Sequence, residues 1–307
     1  MIIVHGGAKE IPLNEQPAHR EGCHRAAEAG WAVLQKGGKA LDAVEAAIRL
    51  LEDDPTFNAG YGSDLNKDGE VQMDAGLMDG ATLKAGAVGF IQGVWHPISV
   101  ARKVYESQEV LITGDGARRF AEEQGAELCD KDALITEKAR KQWEEQIGGK
   151  QNNTVGCVAL DTNGNLAVGA STGGTGGNRR GRLGDTPQLG CGFYADNERG
   201  GCSNTGDGES IARVVLAKSA IEMLGGELTP DEVAHRAMQI LGGRTEGDGG
   251  CILIDRQGRI GWAHSSANIA VAYRTADMTE ACAYTAKSEE AQNTWQKTNQ
   301  DRPAEVL

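Results

Sequence analysis

Basic residues are in short supply in this chain. Against 44 Asp and Glu there are 31 Lys and Arg, a formal net charge of -13. A surface of that sign repels nucleic acid and anionic lipid, so neither is expected as a partner. Long apolar runs are missing too: no stretch approaches the ~20 residues that a membrane-spanning helix needs. The opening MIIVHGGA is too short, and lacks the basic leader, to read as a signal peptide. A cytoplasmic protein is therefore expected. The 7 cysteines, scattered from Cys23 to Cys282, form no C-x-x-C pair. That removes zinc ribbons and redox dithiols, and leaves small buried apolar residues in a reducing compartment. G-x-x-x-x-G-K-[ST] and H-E-x-x-H do not occur, and Gly190 and Gly192 do not complete G-x-G-x-x-G. Phosphate loops, zinc peptidases and dinucleotide folds have no support.

Glycine, by contrast, is abundant. The chain has 43 in 307 residues, about twice the usual ~7%, with no repeating triplet, so the excess belongs to turns and close backbone approaches. Hydrophobic residues at 39% and charged residues at 24% describe a globular chain long enough to bury a large core.

The periodicity predicts a buried strand at Ile2–Val4 turning at His5-Gly6-Gly7, then helices over 18–36 and 41–53. Asn66-Lys67-Asp68-Gly69 reads as a hairpin turn between 63–65 and 70–73. Its Asp64, Asn66 and Asp68 imitate an EF-hand opening, but Ala75 stands where the closing Glu should be. A strand at 85–91, a helix at 97–107, a strand at 110–113 and a helix at 116–123 capped by Asp115 follow. Residues 130–153 are charged and amide-rich and read as an exposed linker. Strands at 154–160 and 166–171, helices at 209–224 and from Thr229 to Gly242-Gly243, and a hairpin of 251–255 with 259–263 complete the pattern. Strands and helices come in runs, which predicts a layered α+β fold.

The chemistry concentrates between Asn152 and Glu209. Thr154 stands at the junction of the linker and a strand. A threonine hydroxyl needs a base, and His5 reads as a structural histidine. Cleavage just before Thr154 would supply the residue's own α-amine, with an ordinary pKa of about 7.7–8.0, as that base. The competing reading is a plain strand threonine. Arg182 offers a planar fork for a carboxylate and Asp185 a charge for an ammonium, the two groups on an amino acid's α-carbon. The Thr205 hydroxyl and Gly206 N–H would suit an oxyanion. Ordinary turn chemistry, with Arg182–Asp185 as a surface pair worth ~0–1 kcal/mol, is the alternative. Arg179, Arg180 and Arg182 make a basic cluster on an acidic background.

Taken together the motifs are specific. VHGGA at Val4–Ala8, LEDDPTFNAGYGS at Leu51–Ser63, MDG at Met78–Gly80 and LKAGAV at Leu83–Val88 are followed by NTVGCVALD at Asn153–Asp161. STGG at Ser171–Gly174, GRLGDTP at Gly181–Pro187 and NTGDGE at Asn204–Glu209 complete the set in order. Over nearly its whole length the chain resembles the plant-type asparaginases, or isoaspartyl peptidases, of the N-terminal-nucleophile hydrolases. That resemblance implies a four-layer αββα sandwich formed by residues 1–307 as one domain. It implies autocleavage between Asn153 and Thr154 into 1–153 and 154–307, and a dimer of the cleaved pairs. Thr154 would be the nucleophile, tuned by Thr172, with Asn58 nearby. Arg182 and Asp185 would hold the substrate's α-carboxylate and α-amine, Thr205 and Gly206 the oxyanion, and Gly208 would orient the amine. No cofactor is implied for catalysis. A structural sodium ion is implied in the main-chain carbonyls of Leu51, Glu52, Asp54, Phe57, Ala59 and Tyr61. The expected substrates are L-asparagine and β-aspartyl dipeptides, through a β-aspartyl ester on Thr154. Asn153 departs from the family's glycine; the related glycosylasparaginases carry Asp there, which makes glycosylasparaginase the alternative activity. A threonine endopeptidase, or a binding protein that keeps the pocket and never cleaves, are the further readings.

Overall fold

Leu41, Val44, Ile48 and Leu51 recur at helical spacing, and a helix that buries such a stripe needs a sheet beneath it. The computed structural model, which describes residues 1–145 and 154–290, supplies that sheet. In chain order come β1 (Ile2–Lys9), α1 (Gln16–Gln35), α2 (Ala40–Asp53), β2 (Met73–Asp79), β3 (Ala85–Ile91), α3 (Pro97–Glu106) and β4 (Leu111–Thr113). Then follow α4 (Gly114–Glu123), α5 (Glu137–Glu144), β5 (Val155–Leu160), β6 (Leu166–Thr172), β7 (Phe193–Asp196) and β8 (Gly200–Gly206). Helices α6 (Gly208–Val214), α7 (Leu216–Leu224) and α8 (Pro230–Thr245) precede β9 (Gly249–Asp255), β10 (Ile260–His264), β11 (Asn268–Arg274) and β12 (Cys282–Tyr284).

Eight strands form one sheet in the order β12-β11-β1-β5-β6-β2-β3-β4, and four form a second, β10-β9-β8-β7. The sheets pack face to face through Ile3, Val158, Val168, Phe193, Ile252 and Trp262, all buried. Helices α1, α2 and α3 cover the outer face of the large sheet through Val44, Ile48, Leu51 and Ile98. Ile211, Ile221, Val233 and Leu241 of α6, α7 and α8 cover the small one. Each large aliphatic or aromatic side chain so buried contributes about 1.5–3 kcal/mol. The result is the αββα sandwich, with β5 and β6 at the centre of the large sheet and β8 lying over them. Seven free cysteines are distributed through it. Among the described residues no helix is long and apolar enough to cross a membrane.

Several local expectations need correction. The first strand does not turn at His5-Gly6-Gly7. It continues to Lys9, with its register against β11 shifting between His5 and Ala8. The turn at 66–69 closes only the single bridge Leu65–Val71, because β2 pairs instead with β3 and β6. Asp115 does not cap α4, which starts at Gly114 behind Thr113. The helix expected over 209–224 is two helices, broken at Val215 with φ 48°. Thr229 does cap α8, its hydroxyl accepting from the Glu232 N–H at 3.3 Å, but the helix runs through Gly242-Gly243 to Thr245. Strands β7, β8, β11 and β12 were not expected at all. Of the segment 130–153, α5 and the preceding short turn are anchored by buried Leu134 and Ala139, while most of their other residues are exposed. Residues 146–153, Asn153 among them, lie outside the described residues.

Candidate active site

The site forms where the two central strands of the large sheet end beneath the small sheet. Val155 on β5 pairs with Ser171 on β6, so Thr154 and Thr172 stand at neighbouring strand ends. β8 crosses above them and ends in Thr205 and Gly206. The long connection from β6 to β7 folds back and carries Arg182, Asp185 and Thr186 to the same place. Thr154, Thr172, Arg182, Asp185, Gly206 and Gly208 line one narrow cleft, together with Gly174, Thr175 and Thr186.

Thr154 is almost entirely buried. Its N–H donates to Thr205 Oγ1 at 3.2 Å, and Ala8 N–H donates to the same oxygen at 3.3 Å. A hydroxyl that accepts two backbone donors keeps its own hydrogen for a third partner, so Thr205 is set to donate. Thr154 Oγ1 lies 3.2 Å from Thr186 Oγ1. Thr172 Oγ1 accepts from Gly174 N–H at 3.1 Å, shaping the turn beside the cleft. Behind Thr154, buried His5 shares a hydrogen bond with Ser203 Oγ at 3.1 Å. Burial pushes its pKa down to about 3, with the Thr154 backbone opposing, so the ring is neutral.

Charge in the cleft is arranged unequally. Asp185 is 3% exposed and its Oδ2 has no hydrogen-bond partner among the described residues. Burial raises its pKa to about 7, although Arg182 pulls the other way. Arg182 does not pair with Asp185 on the surface. It grips Glu209 with two prongs, Nε to Oε1 at 2.8 Å and the second nitrogen to Oε2 at 2.6 Å. Burial alone would lower the Arg182 pKa; the Glu209 bonds and charge, with Asp74 and Asp185, turn the net shift upward. Asp74 on β2 lies beneath this loop, accepting from Phe90 N–H at 2.8 Å; burial pushes its pKa up to about 6, against the pull of the Phe90 N–H, Arg182 and the Gly184 backbone. The glycines here are obligatory. A Cβ on Gly208 would stand 2.8 Å from Asp185 Oδ1, and Gly206 has φ 143° with Asp248 O 2.4 Å from where its Cβ would be.

Asn58 does not line this cleft. It supports it from one residue away, Nδ2 donating to Gly174 O at 2.6 Å and its carbonyl oxygen accepting from Asp64 N–H at 2.8 Å. Leu51, Glu52, Asp54, Phe57, Ala59 and Tyr61 lie at the end of α2 and in the loop after it. Among the described residues no group of three or more His, Cys, Asp or Glu is placed to hold a metal ion.

Three participants went unassigned from sequence: Thr186, Glu209 and Asp74. Thr186 adjoins Asp185 within GRLGDTP, and Glu209 closes NTGDGE. Adjacency to assigned residues was the available signal for both. Asp74 gives none, since only the strand order brings it under Arg182.

The family model described as Asparaginase matches residues 1–284. The chain is similar to the isoaspartyl peptidase/L-asparaginase of Mus musculus, 44% identical over 269 residues, which covers 84% of this chain and 82% of that protein. It is similar to the protein of the same name from Danio rerio, 39% identical over 286 residues (90% and 92% covered). The Homo sapiens protein of that name is 42% identical over 269 residues, covering 84% and 87%.

Proposed function

The chain belongs to the asparaginase family, and from that premise we propose that it hydrolyses L-asparagine to aspartate and ammonia, and cleaves β-aspartyl dipeptides, with Thr154 as nucleophile. The observation that carries this reading is one cleft in which the Thr154 hydroxyl, the Arg182 guanidinium and a buried Asp185 carboxylate oxygen, without a partner among the described residues, meet. A pocket with both charges fits the α-carbon of a free amino acid and places its side chain toward Thr154. The relatives named above are isoaspartyl peptidases/L-asparaginases, which favours this activity over that of a glycosylasparaginase.

The mechanism runs in two halves. Cleavage of the bond before Thr154 frees its α-amine, which takes the hydroxyl proton as Oγ1 attacks the β-carbonyl carbon. Thr205 Oγ1–H and the Gly206 N–H stabilise the oxyanion, while Arg182 and Asp185 hold the α-carboxylate and α-ammonium. The amine's proton passes to the leaving nitrogen as the C–N bond breaks, leaving a β-aspartyl ester. Water, activated by the same amine, hydrolyses the ester and returns the hydrogen to Oγ1. Thr172 tunes the amine, Gly208 leaves room for the substrate ammonium, and Asn58 fixes the Gly174 turn.

A sodium ion fits the loop after α2. The carbonyls of Leu51 and Glu52 fall opposite Pro55, which has no N–H, and Thr56, whose N–H goes to Asp54 Oδ1 at 2.9 Å. Oxygen left free at the negative end of a helix suits a hard cation. The ion would brace the loop that carries Asn58 and take no part in the chemistry. The proposal extends to a cytoplasmic enzyme that dimerises as two cleaved pairs, 1–153 with 154–307.

The test is a denaturing gel run beside an activity assay. Wild type yields two bands and releases ammonia from asparagine; Thr154→Ala stays one band and releases none. Activity in Thr154→Ala, or full activity in a wild-type chain that remains one band, overturns the role of the freed amine. Release of sugar from glycosylated asparagine faster than ammonia from asparagine would move the assignment to the alternative.

A further inference from the structure

Of the basic cluster noted in the sequence, only Arg182 has a part in the mechanism above. In the structure it lines a cavity of about 720 Å³ that opens beside the catalytic cleft and shares Arg182 and Thr175 with it. That size is within the ~300–1,000 Å³ of ligand-binding clefts. Arg182 and Glu209 on its wall neutralise one another, and Arg180 pairs with Glu70 at 3.3 Å. Lys67, Arg179 and Arg213 remain. All three are exposed, and among the described residues none has a carboxylate within ion-pair distance. Asp207 is the one acidic lining residue left to oppose them. A net cationic chamber next to the cleft is at odds with a chain of net charge -13.

The two substrates of the proposed reaction differ in what leaves. Ammonia from asparagine needs neither room nor charge. The amino acid released from a β-aspartyl dipeptide needs both, because it carries an α-carboxylate and a side chain. We propose that this chamber is the leaving-group subsite, and that Lys67, Arg179 and Arg213 make the enzyme prefer β-aspartyl dipeptides whose second residue is acidic. The proposal rests on the hydrolase reading and adds the substrate class to it. Exposed cations attract such a substrate over a distance and hold it weakly, so the preference appears in KM and fades with salt.

The experiment compares kcat/KM of the processed enzyme for L-asparagine, β-aspartyl-glutamate, β-aspartyl-glutamine and β-aspartyl-lysine. Glutamate and glutamine are nearly isosteric, so their ratio reads charge alone. Wild type is expected to favour glutamate about 3- to 10-fold at low salt, with the ratio falling toward one near ~0.3 M salt. Arg179→Gln with Arg213→Gln removes the preference while leaving asparagine hydrolysis within about twofold, since ammonia does not enter the subsite. Arg213→Glu alone shifts the order toward β-aspartyl-lysine. Equal turnover of the glutamate and glutamine dipeptides by wild type overturns the subsite and leaves the hydrolase reading standing. If none of the four is hydrolysed, the hydrolase reading falls and takes the subsite with it.

Discussion

Replacing Asp185 with Asn should cost activity and add stability, and the two effects should share one pH dependence. Burial raises the folded-state pKa from 3.8 to about 7, and Oδ2 has no partner among the described residues. The unfolded chain ionises first, near 3.8. Between there and about 7 the unfolded state binds fewer protons than the folded one, so this group's contribution to stability falls as pH rises and levels off above about 7. Each unit is worth ~1.4 kcal/mol, so raising the pH from 5 to 8 loses about 2–3 kcal/mol, less whatever relaxation and water entering the cleft recover. Asparagine has no proton to lose. Its melting temperature should therefore exceed that of wild type by about 5 °C more at pH 8 than at pH 5. Activity should move the other way. Without a charge for the substrate ammonium, kcat/KM for asparagine should fall by roughly 10²-fold or more. In wild type, kcat/KM should rise with pH through about 7 as Asp185 ionises. The assay is a pair of thermal melts at the two pH values, repeated with saturating L-aspartate, which should stabilise wild type and leave Asp185→Asn unmoved. A stability gap that does not change between pH 5 and pH 8, or that favours wild type, refutes the reasoning.

Thr205→Ala should lower kcat by about 10²–10³, because it removes the oxyanion donor and also strands the Thr154 and Ala8 N–H groups; Thr205→Ser should restore most of it in a steady-state assay. Glu52 is held by Ile98 N–H at 3.0 Å and Ser171 Oγ at 2.6 Å, and burial pushes its pKa up to about 8. The unfolded group ionises near 4.5, so its contribution declines as pH rises from there to about 8. Glu52→Gln keeps an acceptor for both donors and should melt above wild type at pH 8, with the gap shrinking toward pH 5. Val215, half-exposed and β-branched, sits at φ 48° between α6 and α7. Asn tolerates that region better, so Val215→Asn should raise the urea midpoint by the equivalent of up to ~1 kcal/mol without touching activity.

The helices were legible because their signal is local. A stripe such as Leu41-Val44-Ile48-Leu51, or a cap such as Thr229 with Glu232, is complete within a dozen residues. Strand β8 carries no comparable signal. Gly200-Gly201-Cys202-Ser203-Asn204-Thr205-Gly206 has neither alternation nor a hydrophobic run, and it reads as loop. It is a strand because it lies between β7 and β9 and over β5 and β6, where small side chains let the two sheets approach. A Cβ on Gly201 would stand 2.7 Å from both Val158 and Val168. The glycine that hid this strand is the reason it fits. Val215 shows the converse: the apolar spacing of α6 and α7 is continuous, and only the backbone turn between them gives each helix its own angle to the small sheet.

At the cleft, sequence reading pairs residues that are close in the chain, and the fold pairs others. Arg182 and Asp185 are three positions apart and have opposite charge, so a mutual pair is the natural expectation. The structure separates their partners, giving Arg182 to Glu209 from α6 and leaving Asp185 facing the cleft. That separation has a chemical consequence. Had the two neutralised each other, a substrate would have to break a buried ion pair before meeting either charge. With Arg182 oriented by a 62%-exposed glutamate, its fork is held in place by a partner that water can readily replace. Asp185, whose Oδ2 has no partner among the described residues and whose pKa burial raises to about 7, gains from the arrival of an ammonium. Binding is then favourable at one charge and nearly neutral at the other, which is the arrangement that a pocket for a small zwitterion requires.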